Sequence, residues 1–136
     1  MRGELAPQSV PRSATRGERF DDLVLDAIEE LEQALATEVA AELAPLEFAV
    51  EEVPPPTREA EEFDPEVVVD RGVALGRLLR TGSAGDPAPT IVVYRRPVEA
   101  RAGHGDERAD LIFLVVAELV AEFLGRDLDD IDPPRA

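Results

Sequence analysis

Two carboxylates stand one helical turn apart in an otherwise apolar run, Glu118 and Glu122 in LIFLVVAELVAEFLG, residues 111–125. Such a pair can ligate a cation, move protons, or answer a nearby positive side chain. At ~100° per residue the two lie about 40° apart, on the stripe that also carries Leu111 and Val115. Joined by Asp127, they would make a carboxylate metal site. Left alone, they line a shallow, water-accessible groove, with Glu122 paired to Arg126 at the i,i+4 spacing. The second reading is favoured, because nothing nearby supplies nitrogen or sulfur. The only histidine, His104, sits between glycines in RAGHGDER and reads as a solvated loop residue, not a metal ligand. Cysteine is absent, which excludes disulfides, thiol catalysis and thiolate metal sites. The serines and threonines have no histidine at useful spacing, so no hydrolase triad is indicated. The glycines of TGSAGDP do not lead from a strand into a phosphate-binding helix. Arg95 and Arg96 in YRR read as answering an acidic surface and not as an anion site.

The elements that would position these residues follow from periodicity. In RFDDLVLDAIEELEQALATEVAAEL, Phe20, Leu23, Val24, Ala27, Ile28, Leu31 and Leu35 recur at three- and four-residue steps, with acids on the other face. That pattern predicts one amphipathic helix, stopped by Pro45. LEFAVEEV, residues 46–53, alternates as a half-buried strand and ends at PPP. Residues 57–66 read as an acidic loop. EVVVDRGVALGRLL, residues 66–79, is β-branched but carries Gly72 and Gly76, so it is one strand or two with a turn or bulge inside. RTGSAGDPAP reads as a loop. TIVVYRRP predicts a strand over 90–95, closed by Pro97, which then sits at the first position of a short helix. Asp106 is placed as the N-cap of a last long helix over 107–124, and Gly125 as its left-handed C-terminal residue. The fold class is α+β, a small mixed or antiparallel sheet packed against a long N-terminal helix and a buried C-terminal helix.

Composition bounds the class. The chain has 136 residues, 44% of them apolar and only 4% aromatic, which suits one domain with an aliphatic core. It carries 30 acids against 14 basic residues, for a net charge of −16. Every one of the basic residues is Arg. The imbalance is concentrated: residues 1–16 are net +2, residues 17–70 net −16 and residues 71–136 net −2. Such a charge argues against nucleic acid or an anionic membrane as partner; it permits a basic protein partner, and more often simply keeps a protein soluble. The longest apolar run, Leu111 to Ala117, is far short of the roughly 20 residues of a membrane span. With no secretory signal in MRGELAPQSVPRSATRG, the expected location is the cytoplasm. Residues 1–16 are expected to be a disordered tail rich in Arg, Pro and Ser, residues 17–132 a single domain, and residues 133–136 a frayed end.

The strand ending in TIVVYRRPVEARA, the acidic spacer, and the apolar helix ending in Gly and Asp together resemble the minimal zincin-like metallopeptidases of bacteria. RGERFDDLVLDAIEELEQAL and the strand before EEVPPP resemble the first half of that family, so the resemblance runs over about residues 17–132. In such proteins the helix carries H-E-x-x-H. Its two histidines ligate Zn²⁺ from one helical face, and its glutamate polarises a metal-bound water. The resemblance places that motif on AELVA: the histidine positions are Ala117 and Ala121, the glutamate position is Glu118, and the downstream acid falls on Asp127, with Gly125 one residue out of step. Alanine has no donor atom, so the resemblance implies a zincin-like fold whose metal positions are degenerate.

The expected function is therefore a zincin-like domain without zinc or other cofactor, non-catalytic, with Glu118 a relic position. It would act by binding or scaffolding through the old cleft or the acidic first helix. Two alternatives stand beside it: a hydrolase working through a different arrangement, and an acidic mimic of nucleic acid that occupies a basic protein.

Overall fold

The structure, a computed structural model, describes residues 3–4, 16–56, 63–80 and 88–127. In chain order the elements are β1 (Gly3–Glu4), α1 (Arg16–Ala34), α2 (Thr37–Ala41), β2 (Glu47–Glu51), β3 (Val67–Asp70), β4 (Val73–Leu79), β5 (Thr90–Tyr94), α3 (Arg95–Arg101) and α4 (Gly105–Leu124). The strands form one mixed sheet in the order β1-β2-β5-β4-β3. Strands β2 and β5 are parallel, and the other neighbours are antiparallel. Helices α1 and α4 pack on one face, as an α+β domain requires. No helix among the described residues is long and apolar enough to cross a membrane.

The first helix is shorter than its periodicity predicts. It stops at Ala34, and Ala36 turns extended with φ −60° and ψ 147° before α2 begins. Geometry supplies the reason. On an uninterrupted helix Leu43 would point about 120° away from Leu31 at ~100° per residue. The break lets Leu43 and Leu46 join Phe20, Val24, Ala27 and Leu31 in the same core. Residues 3–4 lie within the stretch expected to be a disordered tail, yet they pair with β2. Residue 16, also counted in that tail, opens α1, while residues 1–2, 5–15, 57–62, 81–87 and 128–136 fall outside the described residues.

The ambiguous stretch at 66–79 is a hairpin. Arg71 and Gly72, with φ of 52° and 78°, make its two-residue turn, and Val73 pairs with Asp70 across it. Positive φ at both central residues matches the twist of the flanking strands. A bulge follows: Val68 pairs with Gly76 and Val69 with Ala74, which leaves Leu75 unpaired. The extra residue switches the alternation. Leu75 therefore packs with Leu78, Ile91 and Val93 beneath the helices, whereas Ala74 joins Val92 and Tyr94 in the cluster of the other face. At Gly76 a Cβ would lie 2.6 Å from Val115 Cγ1, so glycine is what lets α4 approach β4. Strand β5 is buried along its whole length, as a central strand of a β-branched run should be.

Candidate functional site

Helix α4 carries Ala117, Glu118, Ala121 and Glu122, with His104 just before it and Asp127 just beyond it. It begins at Gly105, two residues earlier than expected, with His104 extended as its N-cap. Asp106 does not cap. It falls in the first turn with Glu107, where a negative charge suits the positive end of the helix. The C-terminus is as expected: Gly125 is left-handed, and its N–H donates to Glu122 O. The N–H of Arg126 donates to Ala121 O at 3.0 Å. This turn carries Arg126 off the helix, so the expected Glu122–Arg126 pair does not form. Arg126 instead reaches Glu42, at 3.2 Å.

The two glutamates part company. Glu122 is held by Arg80, whose Nη2 donates to its backbone oxygen at 2.9 Å and lies 3.4 Å from its carboxylate. Arg80 also binds Glu66. Glu118 lines a cleft of ≈ 490 Å³ between α4 and the β3–β4 hairpin, walled by Val68, Leu75, Leu111 and Val115. It makes no hydrogen bond or ion pair among the described residues. Its side chain is exposed along one edge. Burial of the other edge against the apolar wall still lifts its carboxyl above the ordinary carboxylate range. Arg101 in the same cleft is already committed to Asp70, through Nε at 2.5 Å and Nη2 to the backbone oxygen at 3.0 Å.

Ala117 and Ala121, at 1% and 4% exposure, are part of the core that includes Phe20, Val24 and Leu31. Asp127 is exposed beyond the C-terminal turn. His104 is 86% exposed beside Glu107, at the other end of α4. Thirteen residues of helical rise put it on the order of 20 Å from Ala117. Among the described residues no three of His, Cys, Asp and Glu gather as a cage for a metal ion. A catalytic zinc usually takes three protein ligands. The positions that the resemblance assigns to the motif hold two methyl groups and one carboxylate, a set that does not fit that ion.

The arginines show a second organised region. Arg95 forks onto Glu52 through Nε, at 2.7 Å, and Nη2, and its Nη1 donates to Glu99 at 2.8 Å. Arg108 reaches Glu99 at 3.7 Å and donates to the carbonyl oxygens of Ala102 and Gly103. The fork holds the Glu52 carboxyl below its usual range and raises the Arg95 guanidinium. Helix α3 starts at Arg95, so Pro97 stands third in it and not first. It is still within the first turn, where its missing N–H costs nothing. The sequence reading of Arg95 as a residue that answers acids agrees with this corner, but it did not identify Glu52 or Glu99. Glu99 was signalled by its i,i+4 spacing from Arg95. Glu52, from a distant strand end, was not.

An α+β domain with a long apolar helix laid across a mixed sheet, and a cleft between that helix and the edge hairpin, is the architecture at hand. The zincin-like metallopeptidase family profile matches residues 43–135, more than half of the chain. The chain belongs to that family. The match begins after α1, so the first helix stands outside it. None of the curated proteins matches the chain.

Proposed function

We propose that this zincin-like domain has lost its zinc ligands, does not hydrolyse peptides, and works as a binding or scaffolding protein. The observation that carries the reading is the pair Ala117 and Ala121: donorless residues at the two nitrogen-ligand positions, and enclosed by core. Glu118 then has no metal-bound water to polarise, and its carboxylate has no other partner among the described residues. Asp127 and His104 stand too far from the motif's face of α4, or too open, to replace two imidazoles. The acidic surface favours a protein partner of opposite charge. The same charge disfavours nucleic acid and anionic membrane as partners. Elemental analysis of protein purified without chelator tests the reading. We expect zinc well below stoichiometric. About one zinc per chain, or zinc-dependent cleavage of a peptide library, would overturn it.

A further inference from the structure

Away from the motif, α1 and α4 leave a groove of ≈ 340 Å³ between them. Its floor is apolar, with Leu23 from α1 and Phe113 and Leu114 from α4, and its walls carry Asp26, Glu30 and Asp110. Leu114 is 45% exposed. It is one of three large apolar side chains so exposed among the described residues, with Val53 and Phe63, and the only one on a regular helix. Like most acids among the described residues, the wall carboxylates have no arginine partner. Glu42, Glu52, Glu66, Asp70, Glu99 and Glu122 all meet an arginine. Asp26, Glu30 and Asp110 meet none among the described residues. The last turn of α1 holds no basic residue, so the negative end of that helix also lacks its usual answer.

We propose that this groove docks a basic amphipathic helix of a partner protein. The proposal deepens the binding role inferred above, and it rests on residues outside the degenerate metal motif. A groove between two packed helices takes a third helix by inserting apolar residues at i, i+3 or i+4, and i+7. Leu23 to Glu30 spans about 10 Å of α1, room for roughly two turns of such a ligand. Apolar anchors meet Leu114 and Phe113. Lys or Arg on the flanks of the ligand meets the unanswered carboxylates, which steer it in and fix its orientation.

The test uses the full chain and a fluorescein-labelled synthetic peptide of leucine and lysine at helical spacing, followed by anisotropy at low and at physiological ionic strength. Two controls have the same length: a scrambled peptide with no apolar face, and one with glutamate for lysine. We expect the amphipathic basic peptide to bind at least about tenfold more tightly than either control. Leu114→Ser should weaken it about tenfold with little change in salt dependence. Asp26→Asn with Asp110→Asn should weaken it and flatten the salt dependence. Glu38→Gln with Glu47→Gln removes equal charge outside the groove and should change neither. All the substituted side chains are at least partly open to solvent, and circular dichroism verifies that each variant is folded. Equal binding of the scrambled peptide, equal loss in the control pair, or no binding of the amphipathic peptide would overturn the proposal. A zinc-loaded protein would refute the loss of catalysis and leave this test untouched.

Discussion

The corner built on YRRPVE and the helix stretch AELVA treat charge in opposite ways. At the corner, Arg95 is only 12% exposed, yet every direction its guanidinium points has an answer in Glu52 or Glu99. On α4, Glu118 has no partner among the described residues, although Ala117 and Ala121 beside it are sunk in the core. Charge taken out of water is stable only when paired and hydrogen-bonded. The corner meets that condition with its own residues. The helix stretch avoids it, because Ala117 and Ala121 bring no polar group into the core and Glu118 stays half open to solvent. The difference separates a paired network that ties the end of β2 to α3 from a carboxylate that has no partner among the described residues.

The strongest way to break this contrast is to put donors back. Ala117→His with Ala121→His forces two imidazoles into sites with 1% and 4% exposure. Overpacking and unpaired polar atoms should cost about 3 kcal/mol or more in denaturant unfolding with chelator present. Because both sites are enclosed, added Zn²⁺ should not restore the loss. A zinc-dependent rise in Tm would show that the two positions can open onto the Glu118 cleft. The contrast between corner and helix would then be one of composition only.

At the corner the effect is smaller and needs no new atoms. Arg95→Ala removes the fork and leaves Glu52 only the looser contact with Arg96, and Glu99 that with Arg108, each at 3.7 Å. Glu52 is 47% exposed, so the loss should fall between that of an open and a buried pair, about 2 kcal/mol. Unfolding of the single variant measures it, and a change near zero would remove the corner's structural role.

The corner should also give a pH signature. Arg95 holds the Glu52 carboxyl below its ordinary value of 4.5, so the folded state favours the charged form. The stability it contributes is fully present above that ordinary value, and it is lost as pH falls through the lowered folded value. Wild type should therefore exceed Glu52→Gln by up to about 1 kcal/mol at neutral pH, after allowance for solvent screening, and the two should converge in acid. A gap that persists unchanged in strong acid would assign the effect to packing.

Much of this was legible in the sequence, for identifiable reasons. Strand β5 and helix α4 were marked by a β-branched run before Pro97 and by an apolar run ending at Gly125, signals that act over a few residues. The break at Ala36 had no Gly or Pro to announce it. It exists because Leu43 and Leu46 must reach the core. The bulge was half visible: Gly76 marked an irregularity, but only the approach of Val115 explains why a side chain cannot stand there. The site divided in the same way. The resemblance, read along one helix, is what assigned the motif positions to Ala117, Glu118 and Ala121. It could not reveal that Glu122 belongs to Arg80, nor that Phe20 and its neighbours on α1 share a core with the two alanines, because those contacts join distant parts of the chain.

The smallest expected effect is the sharpest probe of Glu118. Burial against the cleft wall raises the Glu118 carboxyl above its ordinary 4.5, so here the folded state disfavours the charged form, the reverse of Glu52. The other charged groups of the cleft are Asp70, Arg71, Arg101 and Glu107, of which Arg101 and Asp70 bind each other. Below the ordinary value Glu118 is neutral in both states and costs nothing. As pH rises through the raised folded value, the wild type loses stability relative to Glu118→Gln. At neutral pH the glutamine variant should thus equal or slightly exceed wild type, by less than about 1 kcal/mol because the side chain reaches water. Paired unfolding curves at neutral pH and in acid test both the size and the sign. A loss of about 3 kcal/mol would mean that Glu118 anchors a buried network after all, and the contrast with the corner would vanish. A variant that keeps its fold and loses its cellular role would put chemistry or recognition back on this one carboxylate.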